Sequence, residues 1–199
     1  AYIGNFEEAI KDYNKAIKKD SKRAIFFEDR GLSFIKLEKF EEAIEDFTKA
    51  MELDPKNEDC FFSRGQCFAY IGNFEEAIKD YNKAIKKDSK RALFIENRGL
   101  SFFNLEKYEE AIKDFTKAIE LDPKGANSFS LRGNSLYWLE KYEEAIEDFT
   151  RAIQLDPQNE ESFSYRGKCF SELEKYEEAI KDFTKAIELD PKEGECSND

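Results

Sequence analysis

The 34 residues from Ala92 to Gly125, ALFIENRGLSFFNLEKYEEAIKDFTKAIELDPKG, contain two helical patterns separated by a short turn. In the first pattern, Ile95 and Phe102 lie seven residues apart with Gly99 between them. In the second, apolar residues recur at intervals of three and four, which places them on one face of a helix. These residues are Tyr108, Ala111, Ile112, Phe115, Ala118 and Ile119. Proline cannot continue a helix, so Asp122-Pro123 ends the second one, and the segment predicts a helix pair.

The same pattern returns every 34 residues and divides the chain into repeats. Its clearest marker is an Arg-Gly dipeptide at Arg30-Gly31, Arg64-Gly65, Arg98-Gly99, Arg132-Gly133 and Arg166-Gly167. We predict repeats at 24–57, 58–91, 92–125, 126–159 and 160–193, preceded by the second half of a truncated repeat at 1–23 and followed by a tail without a capping helix at 194–199. Residues 1–23 are identical to residues 69–91. Because each unit buries its apolar face on its neighbours, the period predicts an all-α solenoid.

This pattern resembles the tetratricopeptide repeat (TPR) family over essentially the whole chain. The matching residues in one repeat are Ile95, Gly99, Phe102, Tyr108, Ala111, Phe115, Ala118 and Pro123, and the other repeats fill these places compatibly. The resemblance implies a right-handed superhelical solenoid of antiparallel helix pairs. It also implies that the first helix of each pair lines a concave groove.

The recurring arginine departs from the leucine that TPRs often carry before the small residue. An aspartate follows each arginine by sixteen residues, so we predict five ion pairs between the two helices of a repeat. They are Arg30–Asp46, Arg64–Asp80, Arg98–Asp114, Arg132–Asp148 and Arg166–Asp182. The matched aspartates favour this structural role over a row of phosphate-binding arginines. Asp12 occupies the same position in the half repeat, and its arginine would precede the chain.

Residue usage argues against catalysis, metal binding and cofactor binding. The chain contains no histidine, which excludes Ser-His-Asp and Cys-His sites, and its four cysteines form no C-x-x-C pair. No phosphate-binding or nucleophile-elbow motif is present. The paired glutamates at 109–110 recur in every repeat, as solvated helix starts do. We therefore predict that the protein is not an enzyme and uses neither metal nor cofactor.

Charge and hydropathy constrain the partners and the compartment. Forty-four acidic residues against 32 basic ones give a net charge of −12, which disfavours nucleic acid and anionic membrane surfaces. No apolar run approaches the 18 residues expected of a membrane span. The cysteines are expected to be reduced core thiols, which favours a cytoplasmic location. The remaining class of partner is another protein.

By analogy with TPR domains, the first-helix residues that point away from the apolar stripe would line the groove. The predicted partner-binding residues are Asp29, Leu32, Phe62, Ser63, Gln66, Glu96, Asn97, Leu100, Phe103, Asn104, Asn127, Leu131, Asn134, Tyr137, Trp138, Tyr165 and Lys168. The same face also includes Ile25, Glu28, Tyr70, Leu93, Ser130, Glu161 and Ser164. The repeats diverge most on this face, as a tailored binding surface would, although first helices that merely tolerate change would diverge too. Among these residues Phe103, Tyr137 and Trp138 are the candidate anchors.

The sequence leaves two main functions open, which belong to different classes. The first is a scaffold whose groove binds a peptide or helix of a partner protein, with apolar contacts and amides that fix the backbone. The second is a structural or self-associating segment of a longer TPR array within a large assembly. A targeting region cut from an enzyme is a third interpretation. The carboxylate clamp of some TPR co-chaperones is incomplete here, because only Asn97 occupies a clamp-like position.

Overall fold

A computed structural model describes residues 3–190, and within that range every regular element is an α-helix. The helices are α1 (Ile3–Lys19), α2 (Ala24–Lys36), α3 (Phe40–Leu53), α4 (Glu58–Tyr70), α5 (Phe74–Lys87), α6 (Ala92–Asn104), α7 (Tyr108–Leu121), α8 (Ala126–Trp138), α9 (Tyr142–Leu155), α10 (Glu160–Glu172) and α11 (Tyr176–Leu189). The all-α prediction is confirmed for this part of the chain. The tail predicted at 194–199 and Cys196 lie outside it.

The chain divides into two compact units, residues 1–105 and 106–199. In the first unit α2 packs on α3 and α4 on α5, while α1, α3 and α5 each pack on the first helix that follows. Among the first helices, α4 also contacts α2 and α6, and the three form one side of this unit. In the second unit α8 packs on α9 and α10 on α11, and α8 also contacts α10. Sequential stacking of helix pairs within each unit is the arrangement expected of a solenoid.

The turn between the two helices of a pair requires one residue in the left-handed region. Gly72 has φ of 79°, and glutamate occupies the same place at Glu38, Glu106, Glu140 and Glu174 with φ of 57–60°. Glycine reaches this region without steric cost, whereas a side chain makes it unfavourable by about 1–2 kcal/mol. The packing of the two helices therefore imposes the turn on the glutamates.

The second helix of each pair ends at an aspartate that organises the next turn. The carboxylate of Asp54 accepts from the backbone N–H of Lys56 at 3.0 Å, and Asp88 accepts from Lys90 at 3.1 Å. Proline follows the first aspartate but Ser89 follows the second. The aspartate side chain thus forms the turn with or without proline, because it accepts a local backbone hydrogen bond.

The recurring glycine is explained by an aromatic ring of the second helix. A Cβ added at Gly65 would lie 2.8 Å from the Tyr81 ring, and one at Gly133 would lie 2.9 Å from the Phe149 ring. Both rings are fully buried, and so is Ala77 on the same helix as Tyr81. Mid-helix glycine is unfavourable by about 1 kcal/mol relative to alanine, so close packing of the ring accounts for its presence.

Four of the five predicted ion pairs are present. In each, arginine Nε and Nη2 donate to both oxygens of the aspartate at 2.5–2.9 Å: Arg30–Asp46, Arg64–Asp80, Arg132–Asp148 and Arg166–Asp182. Arg98 and Asp114 belong to different units, and their pairing stays a prediction. Asp12 in the half repeat is bound by Lys15 instead, at 2.9 Å.

The arginines also make a contact that sequence analysis missed. The third guanidinium nitrogen, Nη1, donates to the second helix of the preceding repeat, sixteen residues earlier. Its acceptors are Thr48 for Arg64 at 2.7 Å, Thr116 for Arg132 at 3.0 Å, Thr150 for Arg166 at 2.9 Å, Asn82 for Arg98 at 2.5 Å and Asn14 for Arg30. The sequence pattern that could have predicted this contact is a threonine or asparagine two positions after the recurring aspartate of each repeat. Arg98 therefore joins α6 to α5, and the other four arginines each join three helices of two adjacent repeats.

Candidate functional site

The first helices of unit 1 present an apolar surface to solvent. Leu93 and Leu100 are 48% and 38% exposed on α6, and they lie seven residues apart, on one side of the helix. Ile25 and Leu32 hold the equivalent positions on α2 and are exposed to a similar degree. Tyr70, at the end of α4, is 68% exposed. We call these five residues, with the polar side chains between them, the first-helix face of unit 1.

The predicted groove residues differ widely in exposure. Leu32, Leu100, Asn104, Asn127 and Trp138 are exposed. Asp29, Gln66, Glu96, Asn97, Phe103, Leu131, Tyr137, Tyr165 and Lys168 are half-buried. Phe62, Ser63 and Asn134 are buried.

The assignment of Phe62 and Ser63 to an open groove was wrong. The Phe62 ring lies 4.7 Å from the Phe94 ring and 5.7 Å from the Tyr81 ring, so it belongs to the core between α4, α5 and α6. Ser63 is only 9% exposed. Periodicity within one helix identified the side that faces its own partner helix, but it did not reveal how much of the other side the adjacent repeats cover.

Asn134 also departs from the prediction, because it is 5% exposed. Its amide nitrogen donates to Glu161 on α10 at 3.3 Å. The amide oxygen is buried and accepts no hydrogen bond. A neighbouring first helix therefore covers this residue and removes it from the candidate surface.

A cavity of about 320 Å³ opens on unit 1 between α4, α5 and α6. The predicted groove residues at its wall are Gln66, Asn97, Leu100 and Asn104, and it is completed by Ala69, Tyr70, Phe74, Tyr81 and Ser101. Phe74 and Tyr81 lie on the second helix α5, so the first-helix pattern did not predict them. One available signal was Tyr81 itself, a phenol where four of the other five second helices carry phenylalanine.

The amides at the cavity are held in a defined orientation. Asn97 Nδ2 donates to the Leu93 carbonyl at 2.9 Å, and Asn104 Nδ2 donates to the Leu100 carbonyl at 2.8 Å. Since each nitrogen is committed to its own helix, the amide oxygen is left to act as an acceptor. The phenol of Tyr81 is also at the cavity, and burial raises its pKa well above the usual value, so it stays protonated. The cavity wall therefore combines apolar rings with neutral polar groups and no charged side chain.

The aromatic residues predicted in unit 2 form a cluster. The Tyr137 ring contacts Trp138, Tyr142 and Tyr165 at centroid distances of 5.7–5.8 Å. Lys168 Nζ lies 4.2 Å from the centre of the Tyr165 ring. Trp138 is 52% exposed and stacks on Tyr108. The candidate anchors Tyr137 and Trp138 thus have structural contacts within the unit in addition to any role in binding.

The negative charge of the chain is unevenly divided. Residues 1–105 contain 20 acidic and 19 basic residues, a net charge of −1, whereas residues 106–199 contain 24 and 13, a net charge of −11. The field of unit 2 repels anions and attracts cationic ligands. Unit 1 is nearly neutral, which suits a surface whose contacts are apolar and amide-mediated.

The three cysteines within the described residues have unreactive thiols. Cys60, Cys67 and Cys169 are free and buried, and burial raises the pKa of each thiol to about 12. A thiolate is the reactive form, so these groups are inert at neutral pH. Within residues 3–190, no group of three or more potential ligands is placed to hold a metal ion. No helix of that range is both long and apolar enough for a bilayer.

Comparison with known families identifies the repeat. The tetratricopeptide repeat profile matches residues 26–57, 58–90, 96–124, 126–159 and 161–193, and a second tetratricopeptide repeat profile matches residues 2–22. The chain belongs to the tetratricopeptide repeat family. No curated protein sequence matches the chain.

Solved structures of TPR proteins share the fold. MamA is 24% identical with a TM-score of 0.77, over 82% of this chain and 96% of MamA. A MamA fragment from Desulfovibrio magneticus RS-1 is 19% identical with a TM-score of 0.80, over 87% and 97% of the two chains. YrrB, described as a TPR protein with an unusual peptide-binding site, is 22% identical with a TM-score of 0.75, over 90% and 92%. At these identities the likeness concerns the fold alone.

Proposed function

We propose that this protein is a non-enzymatic scaffold that binds a peptide or helical segment of a partner protein on the first-helix face of unit 1. The TPR family supports the general role of a protein-interaction scaffold. The observation that carries the specific site is the row of exposed leucines on α6, with an open cavity and oriented amides beside it.

The chemistry of this face suits a peptide with apolar side chains. Covering the exposed part of one leucine or isoleucine side chain of the face contributes about 1 kcal/mol, because more than half of each is already buried. The face offers leucine or isoleucine at four equivalent positions on two helices. The oxygens of Asn97 and Asn104 can accept N–H groups of the ligand backbone or side chains. The peptide-binding site of the TPR protein YrrB shows that the same fold serves this purpose in another protein.

The compartment and the partner class follow from the same features. Three buried thiols without disulfides suit the reducing conditions of the cytoplasm. The apolar residues of the first-helix face suit a protein ligand, and its acidic side chains Asp29 and Glu96 do not favour nucleic acid or an anionic membrane. We propose a cytoplasmic location, a protein partner and no cofactor.

The alternative function, a segment of a longer TPR assembly, is favoured by one observation on α11. Tyr176, Ile180 and Ile187 are 59%, 64% and 51% exposed on this helix. The corresponding residues of α9, such as Ile146, are half-buried because α10 packs on them. The first helix of another TPR repeat, in a longer array or a second copy, would cover the α11 residues in the same way.

Peptide selection separates the two functions. Random peptides displayed on phage are selected on the intact chain, and their dissociation constants are measured for the wild type, Leu100→Glu and Ile180→Glu. A charge at Leu100 is expected to weaken binding at least about tenfold, because it removes the apolar contact of Leu100 and places an unpaired carboxylate in the interface. Ile180→Glu, an equally drastic change on α11, is expected to leave binding unchanged.

The two functions predict different results for the two variants. Peptides that bind Leu100→Glu as tightly as the wild type would contradict the proposed site. Self-association that is abolished by Ile180→Glu and not by Leu100→Glu, measured by sedimentation equilibrium, would support the assembly function instead. Circular dichroism of each variant checks that the helices are intact.

A further inference from the structure

Aromatic rings stack between successive repeats in both units. Phe40 is the first residue of α3, and its ring stacks on Tyr70, the last residue of α4, at 4.8 Å and 9°. Tyr108 and Trp138 hold the same two positions on α7 and α8, and their rings are 6.3 Å apart and inclined by 8°. The ring at the start of a second helix is therefore covered by the ring that ends the next first helix.

The second ring of this stack is absent where α5 meets α6, and the same position is also not aromatic at Lys36 of α2 and Glu172 of α10. Phe74 begins α5 as Phe40 begins α3, but α6 ends in Asn104. The cavity of about 320 Å³ lies at this position, and both Phe74 and Asn104 are at its wall. Asn104 is too small to cover the phenylalanine ring, and its amide nitrogen is held by its own helix. The cavity is thus the place that an aromatic side chain occupies in the neighbouring stacks.

We propose that this cavity binds a tyrosine or tryptophan side chain of the partner, which stacks on Phe74 as Tyr70 stacks on Phe40. The inference rests on the proposed function, because it specifies one side chain of the peptide that unit 1 binds. The apolar part of the wall is supplied by Phe74, Leu100 and the Tyr70 ring.

Tyrosine and tryptophan fit the cavity better than phenylalanine or leucine. Both carry a hydrogen-bond donor at the edge of the ring, and such donors need a partner when they are buried. The oxygens of Asn97 and Asn104 are acceptors at the cavity, and Gln66 adds another amide. Phenylalanine or leucine would cover these oxygens without pairing them.

Capped single amino acids test the inference without a peptide backbone. N-acetyl-L-tryptophanamide, N-acetyl-L-tyrosinamide, N-acetyl-L-phenylalaninamide and N-acetyl-L-leucinamide are each titrated into the ¹⁵N-labelled chain. The side-chain amide signals of Gln66, Asn97 and Asn104 report binding. We expect saturable shifts with the first two probes and about fivefold weaker binding of the phenylalanine probe, the effect of one lost neutral hydrogen bond. The leucine probe should cause no saturable shift.

A substitution that fills the cavity with a side chain of the protein itself provides a second test. Asn104→Tyr supplies the missing ring, so it is expected to raise the thermal midpoint and to abolish binding of the tryptophan probe. Glu172→Tyr places tyrosine at the same repeat position in unit 2 and should leave the shifts at Gln66 and Asn97 unchanged. Equal binding of all four probes, or undiminished binding of the tryptophan probe to Asn104→Tyr, would overturn the inference.

The two proposals fail in different ways. If selected peptides depend on Leu100 but tolerate leucine in place of every tyrosine and tryptophan, the proposed function holds and this inference is wrong. If the tryptophan probe binds in the cavity while no peptide depends on Leu100, the inference holds and the proposed function is wrong.

Discussion

The arginine of each repeat is the residue that joins the helices most directly. Arg64 binds both oxygens of Asp80 in its own repeat and Thr48 of the repeat before it. The Asp80 side chain is only 2% exposed and Arg64 is 16% exposed, so neither charge is well solvated. Spacing predicted the arginine–aspartate pair because both residues recur in every repeat. It did not predict the threonine, since that contact requires knowing how adjacent repeats are stacked.

Loss of Asp80 should therefore destabilise the protein strongly. Asp80→Ala leaves the guanidinium of Arg64 partly buried without its counterion, and the expected loss is about 3–5 kcal/mol of unfolding free energy. Asp12→Ala is the matched control, because Asp12 lies in an identical 23-residue segment but its side chain is 76% exposed and pairs with Lys15 at the surface. The control should change stability by no more than about 0.5 kcal/mol. Urea unfolding followed by circular dichroism compares the variants, and equal losses would refute the structural role of the pair.

The buried thiols make stability depend on alkaline pH. Burial raises the pKa of Cys67 to about 12, whereas the thiol in the unfolded chain titrates near 8.5. The folded state thus retains the proton over a window in which the unfolded state loses it. The stabilisation is complete below about pH 8.5 and is lost as the pH rises toward 12.

Cys67→Ala isolates this effect. The urea midpoint of the wild type should fall more steeply between pH 8 and pH 10.5 than that of the variant, because the variant has one fewer thiol to ionise on unfolding. Parallel pH profiles would show that Cys67 contributes nothing to the pH dependence of stability.

Thiol labelling at pH 8 should also leave Cys60, Cys67 and Cys169 unmodified in the native state.

At the scale of helices, the glycine and the aromatic ring set how closely a pair can pack. Gly65 on α4 lies against the Tyr81 ring on α5, with no room for a Cβ between them. The helix propensity of glycine opposes this arrangement and the packing of the ring favours it. The sequence indicated a packing reason for the glycine, but it could not identify the ring, because that requires the register of one helix on the other.

A double-mutant cycle tests which effect dominates. Gly65→Ala gains about 1 kcal/mol of helix propensity but crowds the ring, which costs about 1–3 kcal/mol, so we expect net destabilisation. In a Tyr81→Leu background the crowding is relieved, and the same change should become neutral or stabilising. If Gly65→Ala is equally destabilising in both backgrounds, measured by urea unfolding, the ring is not the constraint.

For the whole molecule, the sequence predicted the repeats, the helix pairs and four of the five ion pairs, because these depend on patterns that recur. The candidate site was predicted less well. Leu32, Leu100 and Asn104 are exposed as expected, whereas Phe62, Ser63 and Asn134 are covered by neighbouring repeats. The cavity lies beside Asn104, at a repeat position that is aromatic at Tyr70 and Trp138. The same position is Lys36 in α2 and Glu172 in α10, so the residue type alone does not mark the cavity. The proposed site therefore rests on differences between repeats that need the structure to be interpreted.

The most direct test of this account is to map a selected peptide onto the ¹⁵N-labelled chain by NMR. We predict that the backbone amide shifts concentrate on α4 and α6 around Gln66, Asn97 and Leu100, and that Leu100→Glu removes them at the same peptide concentration. Shifts confined to the outer faces of α3 and α5, or to residues 106–190, would contradict the assignment of the binding surface to the first-helix face of unit 1.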